Sequence, residues 1–419
     1  MKSSESAISG DTLEYYAPVA KRPDRRKNKG IPGEITLHVS PSACSRRMTI
    51  GDIQENRREK RANLYITEED IVSGCYEDLI PNAVAELVER KQETPRAVSI
   101  VVTCIDDLLG TDHHALLSLL HERFPTIKFC VRHMDPIGLD NREPPAVSRM
   151  KGIYSMLDFH EKKDRSLNII GVSDLVSHQS ELFDITEKLN IKVRQIEDCN
   201  TFDDFLDMGA SSLNLVIGGP GLQAAREMEK RLGIPYIYIP DSYSISSLVS
   251  LYNRISNAFG FSSQDLSKYI SRTQKEITET LQLVGDTPIA VDFSGVARTE
   301  SLARNLLEYG FHVNLVLIGV SFDGDFSDMD WLREKYPNVK ICFHHDAEFM
   351  RCGNKYEDFL CLGFEGAYTI RAKRFADFPE SYHEFGFRAI HVLMQKMREA
   401  YRSSDIFETI NRESEGVIK

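Results

Sequence analysis

No Cys-x-x-Cys pair occurs in the chain, although it has 8 cysteines. Zinc ribbons and redox dithiols of that type are therefore excluded on spacing. A P-loop is missing as well, so the chain carries no such motif for binding a nucleoside triphosphate by itself. No apolar run approaches the ~20 residues that a membrane helix needs. The opening stretch MKSSESAISGDTLEYYAPVAK lacks the apolar segment of a secretory signal. A cytoplasmic protein is the expectation, with its cysteines as free thiols rather than a disulfide framework. Positive charge is in deficit, 51 Lys and Arg against 63 Asp and Glu, for a net charge of -12. That balance argues against bulk electrostatic binding to nucleic acid or anionic lipid. Collagen-like, low-complexity and wholly disordered classes fall away too, since 42% of residues are hydrophobic and 27% charged.

What is present is 419 residues of ordinary globular composition, enough for about two to four domain-sized units. Residues 1–30 show no hydrophobic period and end in the charged run KRPDRRKNKG, which predicts a solvated N-terminal arm. From Glu34 onward strands and helices alternate. EITLHVS, AVSIVVTCI and IKFCVRHM read as strands, with helical spacing in NAVAELVERK and HHALLSLLHERF between them. The β-branched run AVSIVVTCI suits a parallel sheet covered on both faces. The rhythm restarts at LNIIGVS and again at TPIAVDFS, and the chain closes on a helix, FGFRAIHVLMQKMREAYR. A long helical stretch from about Ser246 to Val284 contains the break AFGFSSQD. The predicted fold class is α/β: three successive Rossmann-like open parallel-sheet domains with a C-terminal helix. Their expected bounds are 31–165, 166–285 and 286–419.

Ligands of such sheets bind beyond the C-terminal strand ends, where strand order reverses. Three cysteines stand near such exits. Cys44 follows EITLHVS and Pro41; Cys104 ends AVSIVVTC ahead of the acidic loop IDDLLGTD; Cys75 sits beside Gly74 in IVSGCYEDL. Thiolates gathered at one sheet edge, with backbone amides nearby, suit an iron–sulfur cluster. Three buried structural cysteines are the alternative. IGGPGLQAA has glycines ahead of a helix, but a tight strand-to-helix turn explains them without a phosphate.

The segments HVSPSACSRR, YITEEDIVSGCYEDL and VVTCIDDLLGTD, in that order, resemble nitrogenase component 1 and its relatives. His38, Pro41 and Cys44 stand against that family's His-Gly-Pro-x-Gly-Cys turn, with Ser40 and Ala43 where glycines are usual. Thr67-Glu68-Glu69-Asp70-Ile71-Val72 stands against its acidic segment, and Thr103-Cys104 with Leu109-Gly110-Thr111-Asp112 against its strand end. LNLVIGGPGLQAAREMEKRLGIPYIYIP and VDFSGVARTESLARNLLEYGFHVNLV continue the resemblance into the later domains, so it spans nearly all of residues 31–400.

The resemblance implies the catalytic half of a two-component reductase, a homodimer or a heterodimer with a related subunit. Electrons would come from a separate ATP-hydrolysing iron protein, through an iron–sulfur cluster at the subunit interface, to a small-molecule substrate. The cluster ligands it implies are Cys44 and Cys104. Residues 1–43 lack the further cysteine of the larger family subunits, which favours a 4Fe–4S centre over the eight-iron cluster. Cys75 falls where glycine is usual, and is either a substitute third ligand or incidental. Two cysteines from each of two chains complete a four-thiolate site; with Cys75, a dimer offers six. In the family the exit of IKFCVRHM leads into the active-site cavity, which makes His133 and Asp135, with Arg132, the candidate catalytic groups. A histidine there suits proton donation. His344, His345 and Asp346 form a second strand exit, read first as a polar turn. Cys342 reads as core. Scaffolding of metal-cofactor assembly, or non-redox binding of a small ligand, are the alternative functions, and a further metal cofactor stays open.

Overall fold

The computed structural model describes residues 30–54, 58–91, 93–134, 143–171, 176–239, 243–319, 325–343, 346, 353–376 and 384–402. The expected arm therefore lies almost wholly outside the described residues. Three sheets follow one another along the chain, and every strand pair in them is parallel. The first holds β1 (Glu34–Ser40), β2 (Arg61–Tyr65), β3 (Ala97–Thr103) and β4 (Lys128–Met134) in the order β2-β1-β3-β4. The second holds β5 (Ser166–Ile170), β6 (Lys192–Arg194), β7 (Leu213–Val216) and β8 (Tyr236–Tyr238) in the order β6-β5-β7-β8. β9 (Ile289–Asp292), β10 (Val313–Ile318), β11 (Lys340–Phe343), β12 (Leu360–Leu362) and β13 (Arg374–Ala376) form the third, ordered β11-β10-β9-β12-β13. The α/β class with three open parallel sheets is thus the architecture of the molecule.

The reason lies in the strands. β5, β7 and β9 are buried at every position, and β3 at all but its last. A strand buried on both faces needs helices on both, and a helix carried between successive strands makes each connection a parallel crossover. Two strands escape the sequence pattern. β2 is half-buried along its length and β13 has only three residues, so neither carries a clear apolar period. The helix Phe387–Arg402 packs on the helix Ser267–Val284 and on β12 and β13. Phe385, Phe387 and Leu393 are buried there in a core shared by the second and third sheets. The expected long helix is two, Ile245–Ala258 and Ser267–Val284, parted at the anticipated break.

In each sheet the strand order reverses once, between β1 and β3, between β5 and β7, and between β9 and β12. At the second reversal the backbones close up. A Cβ on Gly221 would lie 2.3 Å from the Cα of Gly171, so only glycine fits. Close packing therefore accounts for the glycine turn. No helix among the described residues is long and apolar enough to cross a membrane.

Candidate metal-cluster site

The cysteines that the sequence brings forward stand on the segments that leave the C-terminal ends of β1, β2 and β3, about the first reversal. Beyond Pro41 the chain turns directly into α1 (Ser42–Gln54), and the amide of Cys44 donates to the Pro41 carbonyl at 3.0 Å. Cys44 is exposed in the first turn of that helix. β3 runs without a loop into α4 (Cys104–Leu109), and Cys104, partly exposed, is its first residue. The acidic segment after Cys104 is therefore helical rather than a loop. Cys75 is exposed at the N-cap of α3 (Tyr76–Arg90), on the connection that leaves the C-terminal end of β2.

Local chemistry shapes these turns. Thr67 and Asp70 form a reciprocal capping box, 3.3 Å from the Asp70 amide to Thr67 Oγ1 and 2.8 Å from the Thr67 amide to Asp70 Oδ2. That box starts α2 (Glu68–Val72), the helix of the acidic motif. Asp112 caps α5 (His113–Arg123) by accepting from the amides of His114 and Ala115, each at 3.0 Å. His38 stands away from these turns. It is buried in β1, 2.5 Å from the Arg61 guanidinium, and burial, then Arg61, push its pKa down to about 3.

A second group joins the cysteine turns. Asp106, 1% exposed, accepts from the Tyr76 hydroxyl at 2.8 Å and lies 2.6 Å from His113 Nε2. Burial works to raise the Asp106 pKa, but His113, Tyr76 and Thr111 outweigh it and hold the carboxyl below its ordinary value. His133, at the end of β4, places Nδ1 3.2 Å from Asp107 Oδ1, and its ring meets that of His113 edge-on at 4.8 Å. Burial and then His113 lower the His133 pKa, so its ring is neutral at pH 7. Donor atoms of Asp106, Asp107 and His133 lie within 4.8 Å of one another. Both Asp106 oxygens are already engaged by Tyr76 and His113, so the carboxylate serves as a crosslink rather than as an open cation site. Tyr76, Asp106 and His113 were not legible as a unit, because Tyr76 and Asp106 are 30 residues apart. The acidic pair beside Cys104 was the signal available.

Asp135 lies outside the described residues, as do Cys352, His344 and His345. Arg132 is turned inward, paired with the largely covered side chain of Glu34. Cys130, Cys199, Cys342 and Cys361 are buried. Burial, followed by nearby carboxylates, pushes the Cys199 thiol up to about 12, which keeps it protonated. The thiols open to a metal among the described residues are thus Cys44, Cys75 and Cys104. Soft, accessible sulfur donors on the segments leaving β1, β2 and β3 have the donor chemistry of an iron–sulfur cluster. A cavity of 380 Å³, lined by Ser42, Ala43, Arg46, Thr49, Ile50 and Tyr65, opens beside Cys44. A larger one, of 580 Å³, involves Asp164, Arg165 and Lys192 at the N-terminal ends of β5 and β6, the end opposite to where parallel sheets place ligands.

The family model for nitrogenase component 1 type oxidoreductases matches residues 28–402. The chain belongs to this family. Among curated proteins it is 26% identical over 227 residues to the nitrogenase iron-molybdenum cofactor biosynthesis protein NifE of Rippkaea orientalis (strain PCC 8801 / RF-1), covering 52% of this chain and 46% of that protein. It is 27% identical over 223 residues to the NifE protein of Nostoc sp. (strain PCC 7120 / SAG 25.82 / UTEX 2576), covering 51% of this chain and 44% of the relative. The matches thus span about half the length of these curated relatives. Among solved structures, a chain of "Nitrogenase Cp1 at pH 6.5" superposes with a TM-score of 0.69 over 96% of both chains at 16% identity. A chain of "Nitrogenase Cp1 at pH 5" gives a TM-score of 0.57 at 13% identity, over 89% of this chain and 85% of that one. At such identities the likeness is one of fold, and it extends over nearly the whole molecule.

Proposed function

We propose that this nitrogenase component 1 family member is the catalytic component of a two-component reductase, with Cys44 and Cys104 holding an iron–sulfur cluster, of the 4Fe–4S type, between two subunits. The observation that carries this reading is the surface around the thiols. Ile50, Ile53, Tyr65, Val72, Leu108 and Leu109 are all exposed, and all lie on α1, α2, α4 or the end of β2. They are half of the large exposed hydrophobics among the described residues, clustered on the elements that carry or flank the cysteines. Apolar surface of this kind marks a protein contact. A second subunit seated here, another copy or a related chain, covers that surface and brings thiols of its own to the same edge. When bound, such a cluster supplies one-electron transfer at a potential tuned by hydrogen bonds and burial.

The chain's own residues would do the rest. The covering subunit excludes water from the thiols. His133, neutral at pH 7, and Asp135, which follows β4, are the proposed proton-handling groups facing a small-molecule substrate. A separate ATP-hydrolysing iron protein is the proposed electron donor, in keeping with a chain that lacks a P-loop. The cytoplasm is the proposed compartment.

A second reading, scaffolding of metal-cofactor assembly, is favoured by the names of the curated relatives, both cofactor biosynthesis proteins. Stopped-flow absorbance separates the two. Anaerobic protein mixed with a reduced iron protein and MgATP should give a fast change in visible absorbance, as the donor's cluster is oxidised and the electron passes to this chain, and should not do so with MgADP. Equal traces with both nucleotides would reject the reductase reading.

A further inference from the structure

Asp106 has both oxygens engaged, yet neither partner belongs to its own helix. Tyr76, 4% exposed, immediately follows Cys75 and is the first residue of α3. His113 is the first residue of α5, and Cys104, the first of α4, stands two residues ahead of Asp106. One carboxylate therefore fastens three helix starts together at the edge where the thiols stand. Its bonds are charge-assisted and buried, the class that holds geometry most firmly. Cys75 and Cys104 themselves stay open to the outside, Cys75 exposed and Cys104 in part. The bracing is inside and the thiols are out.

We propose that Asp106 is a positioning residue that ties the Cys75 turn to the Cys104 turn, so that each chain presents Cys75 and Cys104 as a preset pair of cluster thiols, with Cys44 at the exit of the neighbouring strand. This rests on the cluster reading above and extends it. Cys75 becomes a working third thiol rather than an incidental one, so that a dimer offers six thiolates, which suits two clusters that each take one further, non-cysteine ligand, and the Tyr76 hydroxyl, hydrogen-bonded to Asp106, becomes part of the site's support. Groups that orient first ligands in this way set metal retention and electronic environment without touching the metal.

The test uses the full chain purified anaerobically, as wild type and as Tyr76→Phe, Asp106→Asn, Cys75→Ser and Cys104→Ala. Three quantities are read: iron per chain, the electron paramagnetic resonance spectrum after dithionite reduction, and the rate of iron loss to a ferrous chelator. Tyr76→Phe and Cys75→Ser should both shift the spectrum, and Tyr76→Phe should lose iron about 10-fold faster than wild type. Its melting midpoint should stay within about 4 °C of wild type, since only one hydroxyl is removed. Should Asp106→Asn fold poorly, Tyr76→Phe decides. A purely structural role would lower the melting midpoint while leaving the spectrum and release rate of the bound cluster alone, and that result overturns the proposal. So does a wild-type spectrum in Cys75→Ser. If Cys104→Ala keeps its iron, the cluster reading itself fails. If Cys104→Ala loses iron while Tyr76→Phe behaves as wild type, only the positioning role fails.

Discussion

Asp292 ends β9 fully buried, with Ser294 and the Gly366 amide (3.0 Å) donating to its carboxylate. Burial outweighs those bonds and raises its pKa to about 6 from the ordinary 3.8. The sign follows from linkage. The unfolded chain ionises this carboxyl first, so the contribution of Asp292 to stability is greatest below about pH 4 and falls as pH rises towards 6. A gap of about two pH units amounts to about 3 kcal/mol. Denaturation of wild type and Asp292→Asn at pH 4 and pH 8 should therefore show the wild type losing about 3 kcal/mol relative to the variant. An unchanged difference would mean that Asp292 ionises normally in the fold. Residues of this kind expose the limit of sequence reading. Cys44, Cys75 and Cys104 stood out because each follows a turn or strand end, a property of neighbouring residues. The burial of Asp292, the inward turn of Arg132 and the crosslink from Tyr76 to Asp106 depend on partners far along the chain, and no local pattern encodes them.

The helix Phe387–Arg402 is held by one distant side chain. Glu181, 4% exposed, accepts from the Phe387 amide at 2.6 Å, the Arg388 amide at 3.2 Å and the Tyr252 hydroxyl at 2.5 Å. A carboxylate at a helix N-terminus satisfies amides that have no partner within the helix. Gly386 makes room for it: its φ is +76°, and a Cβ there would stand 1.9 Å from Glu181 Oε1. Gly386→Ala should thus cost about 2–4 kcal/mol, through strain and loss of these bonds, read as a lower denaturation midpoint. A cost below about 1 kcal/mol would show that the helix start can move freely. At this scale the sequence was legible wherever a strand is buried on both faces, as in β3, β5 and β9, or a helix has a strong apolar face. It was weakest at β2 and β13, whose half-burial or shortness erases the period, and at α4, whose acidic first turn reads as a loop.

Across the whole molecule the three reversals of strand order have been put to different uses. The second is closed by Gly171 against Gly221, and the third is filled by Asp292 packed on Gly363 and Gly366. Among the described residues only the first has exposed or partly exposed thiols on the elements that leave it, and those elements also carry six exposed apolar side chains. That asymmetry follows from side chains set on one repeated sheet plan, which is why a fold shared with nitrogenase structures at 16% identity does not by itself fix the chemistry. The most direct measurement is the iron content of the anaerobically purified chain and its cysteine variants. Expected is a brown wild type whose iron is abolished or severely depleted in Cys44→Ala and in Cys104→Ala, and nearly unchanged in Cys342→Ala. Iron at full occupancy in Cys104→Ala, or a colourless wild type without iron, would contradict a cluster at this edge.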